Sequence, residues 1–364
     1  MFNFSPPTRL KVLHIISGDL WAGAEAQAGT LLKQLKPLCD VSAVLMNDGE
    51  LANRLRTCGI EVTILDESSH STWQLFKLLR SHIKKIKPNV IHTHRQKENI
   101  LGALANATTV RARCIRTAHG APESSGHWKI TLQTTIERWT SLLFHDLIIA
   151  VSDDLKDKLT CQYPENMIRV VFNGVDIADL RASAGVAEFK TAQPAMHHIG
   201  IIGRLVPIKR VDLFLQAAAL FKRDQLLHHR FHVIGDGPLK KQLMVQTEAL
   251  SIQDTVTFHG HRNDVPSYIN SLEMVVMCSD HEGMPMVALE TLALGKILVM
   301  HHTGGLKYFR DFPNTCSFED NTSSAIKSAI LSSKLHQPAY PLPSRFRDFA
   351  LHTFATYSTK QASL

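Results

Sequence analysis

Apolar and polar positions along the chain follow two different periods. Short runs such as Lys11–Ser17 (KVLHIIS), Leu147–Ala150 and Met274–Cys278 are almost continuously apolar, the pattern of strands buried on both faces. Between them lie segments whose apolar residues recur three and four apart, as in Trp73–Ile86 and Val211–Phe221, which is the period of a helix with one buried face. Strands are predicted over Lys11–Ser17, Val41–Leu45, Val62–Leu65, Val90–His92, Cys114–Thr117, Leu147–Ala150 and Ile168–Phe172. Helices are predicted over Glu25–Leu35, Leu51–Cys58 and Trp73–Ile86.

The periodicity lapses after about residue 180, in a stretch rich in Ala, Thr and Gln, and then restarts. A second series follows: strands His198–Ile202, Phe231–Ile234, Val256–His259, Met274–Cys278 and Ile297–Met300, with helices Val211–Phe221, Leu239–Leu250 and Val287–Leu294. A Pro-rich stretch, Pro338–Pro343, precedes a last helix over Arg345–Thr359. Strands alternating with helices predict α/β architecture. The expected organisation is a doubly wound domain over 1–180, a linker over 181–197, a second such domain over 198–343, and a C-terminal helix within 344–364 that packs back on the N-terminal domain. Ligands of such sheets bind at the carboxyl ends of the strands, so two Rossmann-like domains facing a central cleft are expected to bind there.

Composition narrows the class. The chain has 364 residues, 44% of them apolar and 20% charged, a globular balance with enough apolar material for two cores. The apolar runs fall far short of the ~20 residues of a membrane span. Met1–Leu10 lacks the pattern of a signal peptide, so a cytoplasmic protein is expected. Six scattered cysteines form no C-x-x-C pair and read as reduced thiols. Among 20 histidines only His92/His94 and His301/His302 are close in sequence, without the spacing of a zinc site, so no metal is expected. A net charge of +7 suits an anionic ligand or an anionic membrane surface. Nucleic acid is not expected, because no basic run is interleaved with aromatics.

Candidate chemistry concentrates in the second domain. Glu282 and Glu290 lie eight apart, near one face of a helix, with Gly283 and Pro285 at its start. Amides at that start favour phosphate, and the carboxylates suit sugar hydroxyls. Arg204 and Lys209 follow the first strand of that domain. Two fixed cations can stabilise a diphosphate leaving group, and no Asp-x-Asp metal motif is present. Gly23 lies in a Gly-bearing loop that is not G-x-G-x-x-G, which excludes a dinucleotide fingerprint. Trp73–Lys87 combines apolar residues with Lys77, Arg80, Lys84, Lys85 and Lys87, a pattern shared by sheet-covering helices and helices that lie on anionic membranes.

An ordered set of motifs carries a resemblance. In the first domain these are Gly18…Gly23-Ala24-Glu25, Val90-Ile-His-Thr-His94, Thr117-Ala-His119-Gly120, Val151-Ser152 and Asn173-Gly-Val-Asp176. In the second they are Gly203-Arg204-Leu205…Lys209, Gly235-Asp-Gly-Pro238, Phe258-His-Gly260, Ser279…Glu282-Gly283…Glu290 and Gly304-Gly305. The chain thereby resembles the retaining glycosyltransferases of family GT4, which have the two-Rossmann GT-B fold.

The resemblance implies an acceptor domain followed by a nucleotide-sugar donor domain. It implies that Gly23 admits the donor phosphates, that His119 contacts the donor sugar, and that Arg204 and Lys209 bind the diphosphate. Gly260, His261 and Arg262 are placed near the base. Glu282, Gly283, Met284, Pro285, Met286 and Val287 are placed around the sugar and phosphates, and Glu290 at the ribose. It further implies transfer with retention and without metal or cofactor. The donor would be a UDP-sugar first and GDP-mannose second. The acceptor would be a glycan or lipid-linked glycan of cell-surface polysaccharide or lipopolysaccharide, built at the inner face of the plasma membrane. Three positions depart from the family pattern: Arg210 replaces a common glycine, Lys296 stands in the strand lead-in, and Tyr308 stands near the place of an acid after Gly304-Gly305. The Gly-Gly loop is expected to offer amides to phosphate. The alternatives are a degenerate, non-catalytic nucleotide-sugar-binding subunit and a sugar-nucleotide epimerase.

Overall fold

The computed structural model describes residues 9–19, 23–120, 128–333 and 342–358, and the side chains of 128–131 and 358 stand outside that description. Parts of the predicted loop at 18–23, of the Pro-rich stretch and of the terminal helix lie outside the described residues. The chain forms two compact units, 1–174 with 348–364, and 175–347.

In the first unit the order is β1 (Lys11–Ile16), α1 (Gly23–Leu35), β2 (Asp40–Leu45), α2 (Glu50–Thr57), β3 (Glu61–Ile64), α3 (Thr72–Ile86), β4 (Val90–Thr93), α4 (Gln96–Ala107), β5 (Arg113–Ala118), α5 (Trp128–Phe144), β6 (Leu147–Ala150), α6 (Asp153–Thr160) and β7 (Ile168–Val170). The second unit continues with α7 (Ile177–Ser183), α8 (Glu188–Ala192), β8 (His197–Ile202), α9 (Val211–Arg223), β9 (His229–Ile234), α10 (Lys240–Ala249), β10 (Val256–Gly260), α11 (Val265–Ser271), β11 (Met274–Met277), α12 (Met286–Ala293), β12 (Ile297–His301), β13 (Thr315–Phe318), α13 (Ser323–Ser332) and α14 (Ser344–Arg347). The chain then returns to the first unit with α15 (Phe349–Ser358).

Both sheets are wholly parallel. The first runs β3-β2-β1-β4-β5-β6-β7 and the second β10-β9-β8-β11-β12-β13. In each, the direction of winding reverses between the first and fourth strands of the unit. That switch point splays the two following loops apart at the carboxyl edge, the ordinary ligand position of such sheets. Leu13, Ile15, Ile91 and Ile115 in the first sheet and Ile199, Val233, Val276 and Val299 in the second are buried, as continuously apolar strands require.

Three differences from the sequence reading have local causes. The stretch 181–197, read as a linker, lies in the second unit and carries α8. There the Ala187 amide donates to Ser271 Oγ, and Phe189 stacks on His232, 4.0 Å between ring centres. The helices α4 and α5 escaped notice because polar residues face inward: Glu98, Asn99 and Asn106 of α4 and Thr140 and Ser141 of α5 are buried. The terminal helix is two pieces, α14 and α15, which fall in different units. The amphipathic helix α3, by contrast, takes the sheet-covering one of the two forms its pattern allowed: Leu75, Leu79 and Ile83 turn into the core, while Trp73 and Leu78 stay exposed. Among the described residues no helix is long and apolar enough to cross a membrane.

Candidate active site

In the second unit the loops after β8 and β11 meet across the switch point. The Asp280 amide donates to Ile208 O at 2.9 Å, and Cys278 Sγ approaches Arg210 O at 3.1 Å. Between them lies a small concavity lined by Gly203, Arg204, Leu205, Lys209, Met277 and Ser279. Lys209 ends the short turn Pro207–Lys209, and its ammonium donates to the carboxylate of Glu282. Ser279 Oγ donates to the same oxygen, at 2.6 Å. Glu282 is almost fully buried and therefore needs these donors. Arg204, five residues before Lys209, is exposed.

Arg210 explains its own departure from the family pattern. Its φ is 50°, in the left-handed region where glycine is the easy residue. Its guanidinium reaches Asp212 and Asp280, both at 3.2 Å, so this cation braces the two loops.

Glu290 sits in the second turn of α12, half-buried. Met284 and Met286 are buried on either side of Pro285, which occupies the cap position of α12 with no side chain capping the amides. Gly260 ends β10 with φ 69°. Arg262 is held by Asp264 at 2.9 Å and lies 5.0 Å over the Tyr268 ring. These interactions raise its pKa and tie it down locally, while His261 pairs with Asn263 at 3.1 Å.

The Gly304-Gly305 loop differs from expectation. The Gly305 amide donates to Glu282 O at 2.9 Å, so it serves the neighbouring loop instead of an incoming phosphate. A Cβ on Gly305 would lie 1.5 Å from Gly283 O, and one on Gly304 2.3 Å from Glu282 O. The two glycines let the 304–305 backbone lie directly on the 282–283 backbone, and so they shape the loop that presents Glu282.

In the first unit the switch point is built from histidines. Thr117 Oγ1 meets His92 Nε2 at 2.7 Å, and His92 Nδ1 meets Tyr357 OH at 2.7 Å. The tyrosine hydroxyl meets His14 Nε2 at 3.3 Å, His14 Nδ1 meets His94 Nε2 at 3.0 Å, and His94 Nδ1 meets His119 Nε2 at 3.4 Å. Burial drives His14, His92 and His94 well below the ordinary imidazole pKa, helped by neighbouring rings. Burial and then Arg95 bring His119 down to about 4. His119 is thus a neutral ring at the end of a chain of neutral rings. The imidazoles of His14, His92 and His94 are close enough for one metal ion, with ligand atoms within 4.8 Å. All six of their nitrogens are already engaged in this chain, so hydrogen bonding accounts for the cluster as it stands. The sequence reading had singled out neither His14 nor Tyr357. The sign available was a histidine inside the apolar run KVLHII.

Gly23 begins α1 and is exposed, and a Cβ there would meet nothing within 4 Å. Packing among the described residues does not call for glycine at that position. Beside it, buried Glu25 pairs with Arg95, which also reaches Asp19 at 3.1 Å. Burial raises the Glu25 pKa against the pull of Arg95.

Comparison with known proteins adds two family matches. Residues 192–350 match the model for glycosyl transferases group 1, and residues 21–179 that for glycosyltransferase family 4. The chain is 27% identical over 299 residues to the Escherichia coli UDP-Gal:alpha-D-GlcNAc-diphosphoundecaprenol alpha-1,3-galactosyltransferase, covering 79% of this chain and 74% of that one. It is 24% identical to a Campylobacter jejuni alpha-1,4-N-acetyl-D-galactosaminyltransferase whose named substrate is undecaprenol-linked, over 78% of this chain and 77% of that one. The fold matches Anabaena HepE, solved in complex with UDP and glucose, with a TM-score of 0.76, 18% identity and coverage of 96% and 95%.

Proposed function

This chain is a GT4-like glycosyltransferase of the GT-B fold, and from that premise we propose that it moves a sugar from a UDP-sugar to a lipid-linked glycan, with retention and without a metal. The observation that carries the donor assignment is the concavity at the β8/β11 switch point, where Arg204 and Lys209 stand beside Glu282. A diphosphate entering there meets an exposed guanidinium and competes with Glu282 for the Lys209 ammonium. Arg supplies a planar fork of donors and Lys a point charge. Together they would offset the charge that develops as the glycosyl–phosphate bond breaks, the role a metal plays elsewhere. The Glu282 carboxylate, released from Lys209, would accept from sugar hydroxyls, and Glu290 would accept from the ribose.

His119 fits a neutral hydrogen-bonding partner for the donor sugar, because a ring with a pKa of about 4 carries no charge near neutrality. The departing phosphate oxygen would take the acceptor hydroxyl proton as the new glycosidic bond forms on the same face. This requires no separate carboxylate base. The two relatives that act on undecaprenol-linked substrates support the lipid-linked acceptor, and with it work at the inner face of the plasma membrane.

The test is transfer in the presence of EDTA, with UDP-sugars and GDP-mannose offered beside undecaprenyl-diphosphate-linked sugars, and the product anomer read by NMR. Transfer from a UDP-sugar with the donor's configuration kept is the expected result. Donor conversion without acceptor would make the protein an epimerase. Donor binding without turnover on any acceptor would leave a binding subunit.

A further inference from the structure

Helix α5 is amphipathic the wrong way round for a helix that covers a sheet. Its inward face is polar: Thr140 and Ser141 are buried, and Glu137 bonds to the buried Arg116 and to Asn99 Nδ2 at 2.7 Å. Its outward face is apolar. Leu132, Ile136, Trp139 and Leu143 are spaced at i, i+4, i+7 and i+11, which puts them on one stripe. They are 51%, 43%, 60% and 67% exposed, and Phe144 adds to the end of the stripe at 37%. Four large side chains in register on a solvent-facing stripe are more than the scattered apolar residues of an ordinary surface. The buried Arg116–Glu137 pair fixes which way the helix faces, so this stripe cannot roll inward.

The surroundings select the occupant. Helix α4 packs against both α3 and α5, which places these helices on one side of the sheet. On α3 and at its end, Lys77, Lys84, Lys85 and Lys87 are exposed, and Arg138 is exposed on α5 itself. The only acid of α5, Glu137, is turned inward. An apolar stripe containing a tryptophan, set beside like-signed cations, matches a bilayer surface: hydrocarbon and headgroup zone for the stripe, anionic lipid for the lysines. A second copy of this chain would add the same cations on its own side, without acids to pair them. The geometry points to α5 as the surface by which this protein docks on an anionic membrane, with the α3 lysines as its electrostatic margin. This deepens the reading of a lipid-linked acceptor and rests on it for its purpose, though not for its geometry.

The experiment uses the full chain, co-sedimented with vesicles of phosphatidylglycerol and phosphatidylethanolamine, or of phosphatidylcholine alone. Wild type is expected to bind the anionic vesicles and to release at high salt. Trp139→Asp with Leu143→Asp should cut binding at least tenfold. Lys84→Glu with Lys85→Glu should weaken it and flatten its salt dependence. Circular dichroism and UDP-induced thermal stabilisation, both unchanged, would show that the variants are folded. Transfer to a long-chain lipid-linked acceptor in vesicles should fall with binding in the Trp139/Leu143 variant, while transfer to a short-chain, water-soluble acceptor stays at the wild-type level. Stripe-dependent vesicle binding in a protein that uses no lipid-linked acceptor would keep the docking surface and remove the acceptor reading. Wild type that stays in the supernatant with every vesicle, or a Trp139/Leu143 variant that binds as wild type does, overturns the proposal. So does light scattering that finds a dimer which the same substitutions split.

Discussion

Lys209 and Arg204 share a loop but differ in what they do for the free protein. Lys209 holds the buried carboxylate of Glu282, whereas Arg204 is exposed. Arg204→Ala is therefore expected to leave the melting temperature within about a degree, while lowering kcat/KM by about 10²–10³, the size of a lost oxyanion-type donor. Lys209→Ala should lower activity too, and should also destabilise the fold by about 1–3 kcal/mol, because Glu282 is left with Ser279 alone. Urea melts and initial rates check both; equal stability losses would contradict the assignment. In the first unit, Tyr357→Phe removes the hydroxyl that joins His92 to His14. A stability loss of about 1–3 kcal/mol is expected from urea melts, with an unchanged melt as the contrary result. The grouping of Lys209 with Glu282, beside Arg204, was legible from local motifs. The Tyr357–His14 contact was not, because the two residues stand 343 positions apart and no local period connects them.

At the scale of elements, the loops after β8, β11 and β12 act as one layered structure. Gly305→Ala puts a methyl group 1.5 Å from Gly283 O, so the 282–284 loop must move and carry Glu282 with it. Loss of nucleotide stabilisation in a thermal-shift titration is expected, with the rest of the fold retained by circular dichroism. Gly23→Ala is the complementary case: its methyl meets no atom of the described residues, so stability should be unchanged and any loss confined to donor affinity. A destabilised Gly23→Ala protein would count against this reading. Most strands and several helices, such as α3 and α9, were legible because their buried faces are apolar. Helices α4 and α5 were hidden because both bury polar groups, and α5 shows its apolar side to solvent. The 181–197 segment lost its period because α8 is a single short helix whose Phe189 caps a row of histidines.

For the molecule as a whole, the two α/β units were legible from the restart of the strand–helix pattern, since each sheet needs its own continuous apolar core. The return of α15 to the first unit was legible as a trailing helix that packs back on the first domain, but its anchors Phe349 and Tyr357 were not, because they gain meaning from partners early in the chain. Both units also share a dependence on neutral histidines. Burial lowers His119 to about 4 and His145 and His232 to about 3. A histidine with a depressed folded pKa contributes stability that is complete above its unfolded value of about 6.5 and is lost as pH falls toward the folded value. Glu98, raised by burial to about 7, has the opposite slope: its contribution is complete below about 4.5 and fades as pH rises to 7. With His14, His92 and His94 lowered as well, the depressed histidines outnumber the raised carboxyls Glu98 and Glu25, so the urea midpoint should drop between pH 7.5 and pH 5. A midpoint that holds or rises over that interval would contradict the neutral-ring assignment.

The central claim is that the second unit grips a nucleotide diphosphate with fixed cations in place of a metal. Calorimetric titration of UDP into the full chain in EDTA, beside Arg204→Ala, tests it most directly. Binding to wild type that is unaffected by chelation and at least tenfold weaker in the variant is the predicted result. Binding that vanishes with EDTA, or that is equal in both proteins, would contradict it.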